Sequence, residues 1–194
     1  MKKSSLLFFV LIVSAVSAFA ESGTWTLDQS HSNITFSIQH MVISEVTGTF
    51  KDFNVSLLSS KEDFSDAAIS AAIGVKSIDT RNEMRDNHLK TDDFFNAEKF
   101  PTIKFQSTSL EKVSEGHYKI KGNLTIRDST KAVTIDAILN GVIQSPKGAR
   151  SGWKATLAVN RFDYGLKWDR TIESGGLVAG STVNLIFNLE FVKQ

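Results

Sequence analysis

The feature that most constrains this chain is an alternation of apolar and polar residues with period two, repeated along most of its length. In extended backbone, successive side chains point to opposite faces, so each such run predicts a strand with one face for a core and one for water. Ile34, Phe36, Ile38 and His40 share a face, with Thr35, Ser37 and Gln39 opposite. Ile69, Ala71, Ile73 and Val75 repeat the pattern, as do Ile103 with Phe105, and Tyr118, Ile120, Gly122, Leu124 and Ile126. Val133 to Leu139, Trp153 to Val159 and Val183 to Phe191 complete the set. A further strand is expected from Val46 to Leu57, with Gly48 and Lys51-Asp52 as bulge or turn points. About eight or nine one-sided strands fit antiparallel sheets, either a closed barrel or a two-layer sandwich.

Turn signals separate these runs at Asp128-Ser129, Ser145-Pro146-Lys147-Gly148 and Gly175-Gly176. With no repeat, no low-complexity segment and only two prolines, nothing marks a domain boundary. One stretch breaks the rhythm: Asp79 to Leu89 is charged and non-alternating. It is expected to form a short helix capped by Asp79 or Thr80, with Met84, His88 and Leu89 on one side. Asp92-Asp93-Phe94-Phe95 should open another short turn before Pro101 forces extended chain.

Residues 1–20 are set apart. A basic start (Lys2, Lys3), an apolar run from Leu6 to Val13 and the end Ala18-Phe19-Ala20 have the layout of a cleavable secretory signal peptide. This predicts one domain over residues 21–194, exported to the periplasm or secreted. The formal net charge of +1 becomes −1 once Lys2 and Lys3 leave. Such a near-neutral surface without basic blocks argues against nucleic acid and against a polybasic membrane patch. Cysteine is absent, which excludes disulfides, thiol catalysis and Cys-ligated zinc.

Few residues suggest chemistry. The four histidines, His31, His40, His88 and His117, lack the close spacing of metal ligands, although His31 and His40 could converge with His88. The simpler expectation has His40 facing the interior with its hydrogen bonds satisfied and His117 on the surface; no metal and no cofactor are expected. No nucleophile elbow or phosphate-cradling glycine loop occurs. Asp79, Asp86 and His88 are close in sequence, yet such groups on a short helix are usually caps or surface charges. Arg161 and Asp163, two apart, share a face on extended chain and are expected to pair; the alternative places Arg161 or Lys167 at an anionic head group on a barrel rim. The apolar faces hold the remaining candidate. Ala71, Ala137 and Ala155 are small where a filled eight-stranded barrel would favour larger residues. Thin filling leaves a cavity unless neighbouring aromatic rings occupy it.

Matching blocks run through nearly all of the chain beyond residue 20. They begin at Trp25-Thr26-Leu27-Asp28 and Ser30-His31-Ser32, then Phe36 to Met41 and Gly48-Thr49-Phe50. They are densest at Ser77 to Thr80, Arg85 to Leu89, Asp93-Phe94-Phe95 and Phe100 to Phe105. They resume at Gly122 to Ile126 and Arg161 to Gly165. In this order they resemble the YceI-like family, also described as polyisoprenoid-binding or lipid-binding. Two departures stand out: Asp128 to Ala132 replaces a usual glycine-containing turn with a following proline, and Asn123 replaces a common aspartate. The first questions the turn geometry, since aspartate takes a left-handed conformation less readily than glycine.

The resemblance implies an all-β, lipocalin-like, extended eight-stranded antiparallel barrel with short helical insertions and a long apolar tunnel. The tunnel of such a barrel holds an isoprenoid chain, as of a quinone or polyprenyl phosphate, or another amphiphilic lipid; the resemblance implies no catalytic residue. From inward parity, Phe36, Ile38, Phe50, Ile73, Phe105, Trp153, Phe187 and Leu189 are expected to line it. His40, Arg81, Arg85, His88 and Arg161 are the head-group candidates at the mouth. The expected function is a periplasmic, non-enzymatic carrier or store. Two rivals are an enzyme acting on such a lipid through His40, Asp86 or His88, and a packed barrel that docks on a membrane partner protein.

Overall fold

A computed structural model describes residues 23–146, 148–173 and 175–194, so the expected signal segment, residues 1–20, lies outside the described residues. The strands are β1 (Thr24–Leu27), β2 (Asn33–His40), β3 (Ser44–Phe50), β4 (Phe53–Leu58), β5 (Ala68–Gly74) and β6 (Ile78–Asp79). After the helix α1 (Glu83–Lys90) come β7 (Thr102–Ser114), β8 (His117–Ile126), β9 (Ser129–Ser145), β10 (Gly148–Asn160) and β11 (Ala179–Lys193).

Two of the barrel's staves are broken strands. A single 3-10 turn, Gln29–His31, divides β1 from β2, and Lys51-Asp52 divides β3 from β4. Because β1 pairs with β4 and β2 with β3, each pair of halves acts as one strand. The last strand closes the ring: Phe191 to Lys193 pair with β1, Val183 to Asn188 with β2, and the opposite edge with β10. The result is a closed barrel of eight antiparallel strands, as the resemblance implies, with the order β1/β2, β3/β4, β5, β7, β8, β9, β10, β11. Closure leaves no unpaired ladder across the middle of the sheet.

Register converts the alternation into an interior. One continuous row of paired residues runs Tyr118, Ala137, Ala155, Phe187, Ile34, Phe50 and Ile78 across seven strands. Every one of these points inward, and the two alanines stand between the large Tyr118 and Phe187. Glycines serve the same packing. A Cβ on Gly48 would lie 2.4 Å from Phe36 Cζ, and one on Gly122 would lie 2.4 Å from Phe105 Cζ. The tips of both rings therefore occupy the space a side chain would take, and only glycine fits beneath them.

One end of the barrel is plugged. The loop between β4 and β5 turns Phe64 inward, with φ of 56°, until it is 1 % exposed. Its ring lies 5.1 Å from Trp25 and 5.0 Å, edge-on, from Trp153, which itself packs on Tyr118 at 5.4 Å. Asp66 holds this loop: its carboxylate accepts from Ser59 Oγ at 2.6 Å, from the Ser60 hydroxyl and amide, and from the Lys61 amide at 3.3 Å.

The other end carries the non-strand elements, and here three expectations change. Asn82, not Asp79 or Thr80, caps α1, its Oδ1 accepting from Arg85 N at 3.0 Å. Asp79 and Thr80 are held beforehand by β6 and by the turn that follows it, with Asp79 paired to Lys51 and accepting from Arg81 N at 2.7 Å. Met84 is 84 % exposed rather than joining Leu89, because it occupies the first helical turn, outside the cover of the barrel. In the β8–β9 turn the left-handed residue is Arg127, with φ of 55°, so Asp128 avoids the strain expected of it.

Two measurements probe this end-plug. Phe64→Ala should cost about 3–5 kcal/mol in denaturant unfolding, the usual range for emptying a buried aromatic site. The Ser59 and Ser60 hydroxyls hold the Asp66 carboxyl well below the usual carboxylate range in the folded chain only. A depressed folded value gives stability that is complete above about pH 4 and declines as pH falls below it. Asp66→Asn should therefore lower the thermal transition at neutral pH and flatten its fall between about pH 4 and pH 2.

Candidate functional site

The barrel interior holds two adjoining chambers. The lower one, about 110 Å³, lies above Trp153 and the plug. It is bounded by Ile34, Leu57, Ile73, Ala71, Phe105, Leu110, Ala137, Trp153, Ala155, Phe187 and Leu189. Among the described residues, no polar side chain lines it. The upper one, about 220 Å³, opens at the end that carries α1. Phe50, Ile103, Ile126 and Leu185 border both and form the neck between them. Together the chambers run along the barrel from Trp153 to the mouth.

The eight residues picked by parity all face this space. Phe36 and Ile38 line the upper chamber, Phe50 the neck, and Ile73, Phe105, Trp153, Phe187 and Leu189 the lower chamber. Ala71, Ala137 and Ala155 lie in the lower chamber too, where their small size leaves room. Period two was not enough for the mouth. Phe94, Phe95, Leu166 and Trp168 line the upper chamber from turns and loops, where no periodicity applies. The sequence signal for Phe94, Phe95 and Trp168 is an aromatic residue in an otherwise polar segment.

The polar groups of the upper chamber are Gln39, His40, Thr80, Arg85, His88 and Arg161. Their arrangement follows from local folding. Thr80 and Asp86 are buried, and Asp86 Oδ1 accepts from the Thr80 amide at 2.9 Å and hydroxyl at 2.6 Å. Arg85 joins them, donating from Nε to Thr80 Oγ1 at 2.7 Å and from Nη2 to the Thr80 carbonyl at 2.8 Å. This leaves Arg85 Nη1 with no protein acceptor among the described residues. His88 Nε2 meets Asp93 Oδ2 at 2.8 Å, and its ring stands edge-on to Phe94 and Trp168 at 5.1 and 5.8 Å. The three rings form an aromatic wall at the mouth.

Arg161 takes a different role from the one expected. Residues Arg161–Tyr164 form a 3-10 turn instead of extended chain, so Arg161 does not pair with Asp163. Instead Nε donates to Gly180 O at 2.8 Å, Nη1 to Leu166 O and Nη2 to Ala179 O at 2.9 Å, while the guanidinium stacks 4.1 Å over Phe162. Burial pushes the guanidinium below its ordinary value, opposed by nearby Asp169, but an arginine in this setting keeps its proton. Its hydrogen bonds are spent on carbonyls, so it shapes the rim. Arg127 acts likewise from outside: Nη1 donates to Phe94 O at 2.8 Å, Asp92 O at 3.0 Å and Gly165 O at 3.2 Å, fastening the turn after α1 to the β8–β9 turn.

Other candidates fall outside the chamber. Arg81 lies on the surface, 3.5 Å from Thr47 Oγ1. His31 does not converge with His40 and His88, because the 3-10 turn Gln29–His31 turns it toward Asp28, 3.1 Å away. There Asp28, His31 and Glu190 cluster, but Arg150 already bridges the two carboxylates. The His40 ring has no hydrogen-bond partner among the described residues. Asp86 is tied to Thr80 and does not line the chamber, so His40, Asp86 and His88 form no acid–base relay. No Asp or Glu lines either chamber among the described residues, and the charged side chains that do are Arg85 and Arg161.

The family model described as a YceI-like domain matches residues 25–191. A UPF0312 protein of Staphylococcus aureus (strain N315) is 37 % identical over 169 residues, covering 86 % of this chain and 96 % of its own. Among solved structures, a Campylobacter jejuni YCEI protein superposes with a TM-score of 0.67 at 29 % identity, over 87 % of this chain and 96 % of that one. BcnA of Burkholderia cenocepacia shares the fold with a TM-score of 0.73 at 19 % identity, over 84 % and 98 %. A polyisoprenoid binding domain from Saccharophagus degradans, implicated in plant cell wall breakdown, does so with a TM-score of 0.64 at 15 % identity, over 88 % and 98 %.

The neck yields a test of its geometry. Leu185→Trp should close the passage between the chambers while costing about 1–3 kcal/mol of stability for overpacking. Xenon or small apolar probes followed by NMR should then report the lower chamber as isolated; unchanged access would place the passage elsewhere.

Proposed function

The chain belongs to the YceI-like family, and we propose that it is an exported, non-enzymatic carrier or store of an amphiphilic lipid. The tail lies in the two-chamber tunnel and the head group lies at the mouth. The observation that supports this reading is an apolar interior of two adjoining chambers, walled at one end by Trp153, with Phe64 behind it, and bordered at the other by a few polar groups. Each methylene moved from water into such a lining is worth about 0.8 kcal/mol. The fold shared with a domain named for polyisoprenoid binding points to a prenyl tail, of a quinone or a polyprenyl phosphate.

The mouth's chemistry narrows the head group. With Arg85 Nη1 free to donate, His40 unpaired and no carboxylate in the lining, the mouth suits an acceptor such as a phosphate or quinone carbonyl. Asp86 is already occupied by Thr80, and Asp93 by His88. The amino-terminal segment's signal-peptide layout supports export to the periplasm and a working domain of residues 21–194.

Trp153 and Trp168 border the lower and upper chambers, so intrinsic fluorescence reports on both. Titration with a prenyl quinone should quench it saturably, and Phe105→Glu, which places a carboxylate in an apolar wall, should abolish the quench while the chain stays folded by circular dichroism. Saturable quenching that survives Phe105→Glu would move the ligand out of the barrel.

A further inference from the structure

The rim of the tunnel bears an apolar tip that the barrel does not use. Between β2 and β3 the chain turns through Met41, Val42 and Ile43, which are 40 %, 54 % and 87 % exposed. Isolated surface apolar residues are ordinary, but three in succession at a protrusion are not. No charged side chain interrupts the run between His40 and Glu45.

The backbone there is costly as well. Met41 and Val42 both adopt left-handed φ, 51° and 68°, and Ile43 N closes the turn on His40 O at 3.2 Å. A turn with two left-handed central residues normally takes Asn-Gly, and a β-branched residue in that conformation is a true outlier. The conformation is held from outside: Met41 N donates to Val178 O at 2.9 Å, and Gln39 Nε2 to Val42 O at 3.1 Å. Val42 packs so closely on Gly176 that a Cβ there would lie 2.5 Å from Val42 Cγ2. Strain of this kind persists where surrounding structure imposes it, and it collects at working sites.

Position supplies the occupant. Gln39, His40 and Val178, which flank or hold the tip, also line the upper chamber, so the exposed apolar surface continues into the mouth. Met84, 84 % exposed, projects from the helix whose Arg85, His88 and Leu89 border the same opening. A convex tip without polar side chains offers little to specify a protein partner, but it fits the headgroup–acyl boundary of a bilayer. We propose that the Met41–Ile43 tip inserts into a lipid surface and sets the tunnel mouth against it, so that lipid passes between bilayer and barrel without crossing water. The proposal rests on the carrier reading for its purpose, though not for its geometry.

The test is flotation of the protein, isolated from the soluble extract of its cells, with vesicles of phosphatidylethanolamine and phosphatidylglycerol. Ile43→Asp should lower the vesicle-bound fraction about tenfold. Ile143→Asp, at another exposed apolar position, on β9, should leave it unchanged. Met41→Asn/Val42→Gly should lower vesicle binding while leaving the thermal transition unchanged or higher, which a merely structural role for the tip would not produce. A dansyl-labelled polyprenyl phosphate, offered either in cyclodextrin or in the vesicles, separates the two readings. Ile43→Asp should take it up from cyclodextrin like the native chain and from vesicles about tenfold more slowly. Flotation that is absent, or unaffected by Ile43→Asp, or equally reduced by Ile143→Asp, overturns the proposal. If vesicle binding depends on Ile43 but the probe enters from neither source, the surface assignment stands and the carrier reading falls.

Discussion

The structure depends on ring closure by β11, whose two halves pair with the two halves of a broken first strand while its other edge pairs with β10. Main-chain hydrogen bonds around a closed ring satisfy the backbone without help from the interior. The interior is thereby released from the usual requirement of tight filling. A core normally tolerates few voids larger than water, since each forfeits dispersion contacts. Here the sheet itself carries the fold, and alanines at 71, 137 and 155 can leave a lining where a packed protein would place branched side chains.

The two ends divide the remaining tasks. At the closed end, Phe64 is driven inward against Trp25 and Trp153, and Asp66 locks the loop that carries it. At the open end, buried polar groups are spent on fixing non-strand segments. Arg161 and Arg127 each bind backbone carbonyls of the rim, and Asp86 binds Thr80. Among the described residues, Gln39, His40, Arg85 and His88 retain polar capacity toward the chamber. A rim rigid in most places and chemically open in a few suits recognition of one end of an amphiphile.

Parity made much of this legible from residues alone. Phe36, Ile38, Phe50, Ile73, Phe105, Trp153, Phe187 and Leu189 face the cavity because period two leaves a strand residue only two directions. The mouth was harder to read, for physical reasons. Trp168, Leu166 and Phe94 reach it from irregular chain, where direction is set by contacts distant in sequence. Arg161 and Asp163 looked like neighbours on one face until a 3-10 turn, closed at left-handed Gly165, separated them. Phe64 gave no strand signal, and its inward turn is imposed by the Trp25–Trp153 wall. The helix cap moved to Asn82 because Asp79 was already engaged by Lys51.

Native mass spectrometry of protein purified without detergent, followed by solvent extraction, decides whether the barrel interior holds a lipid. A lipid-filled interior gives a discrete added mass that extracts as a quinone, polyprenyl phosphate or fatty-acid derivative and is absent from Phe105→Glu. A clean ligand-free mass that persists after incubation with each of these lipids would contradict it.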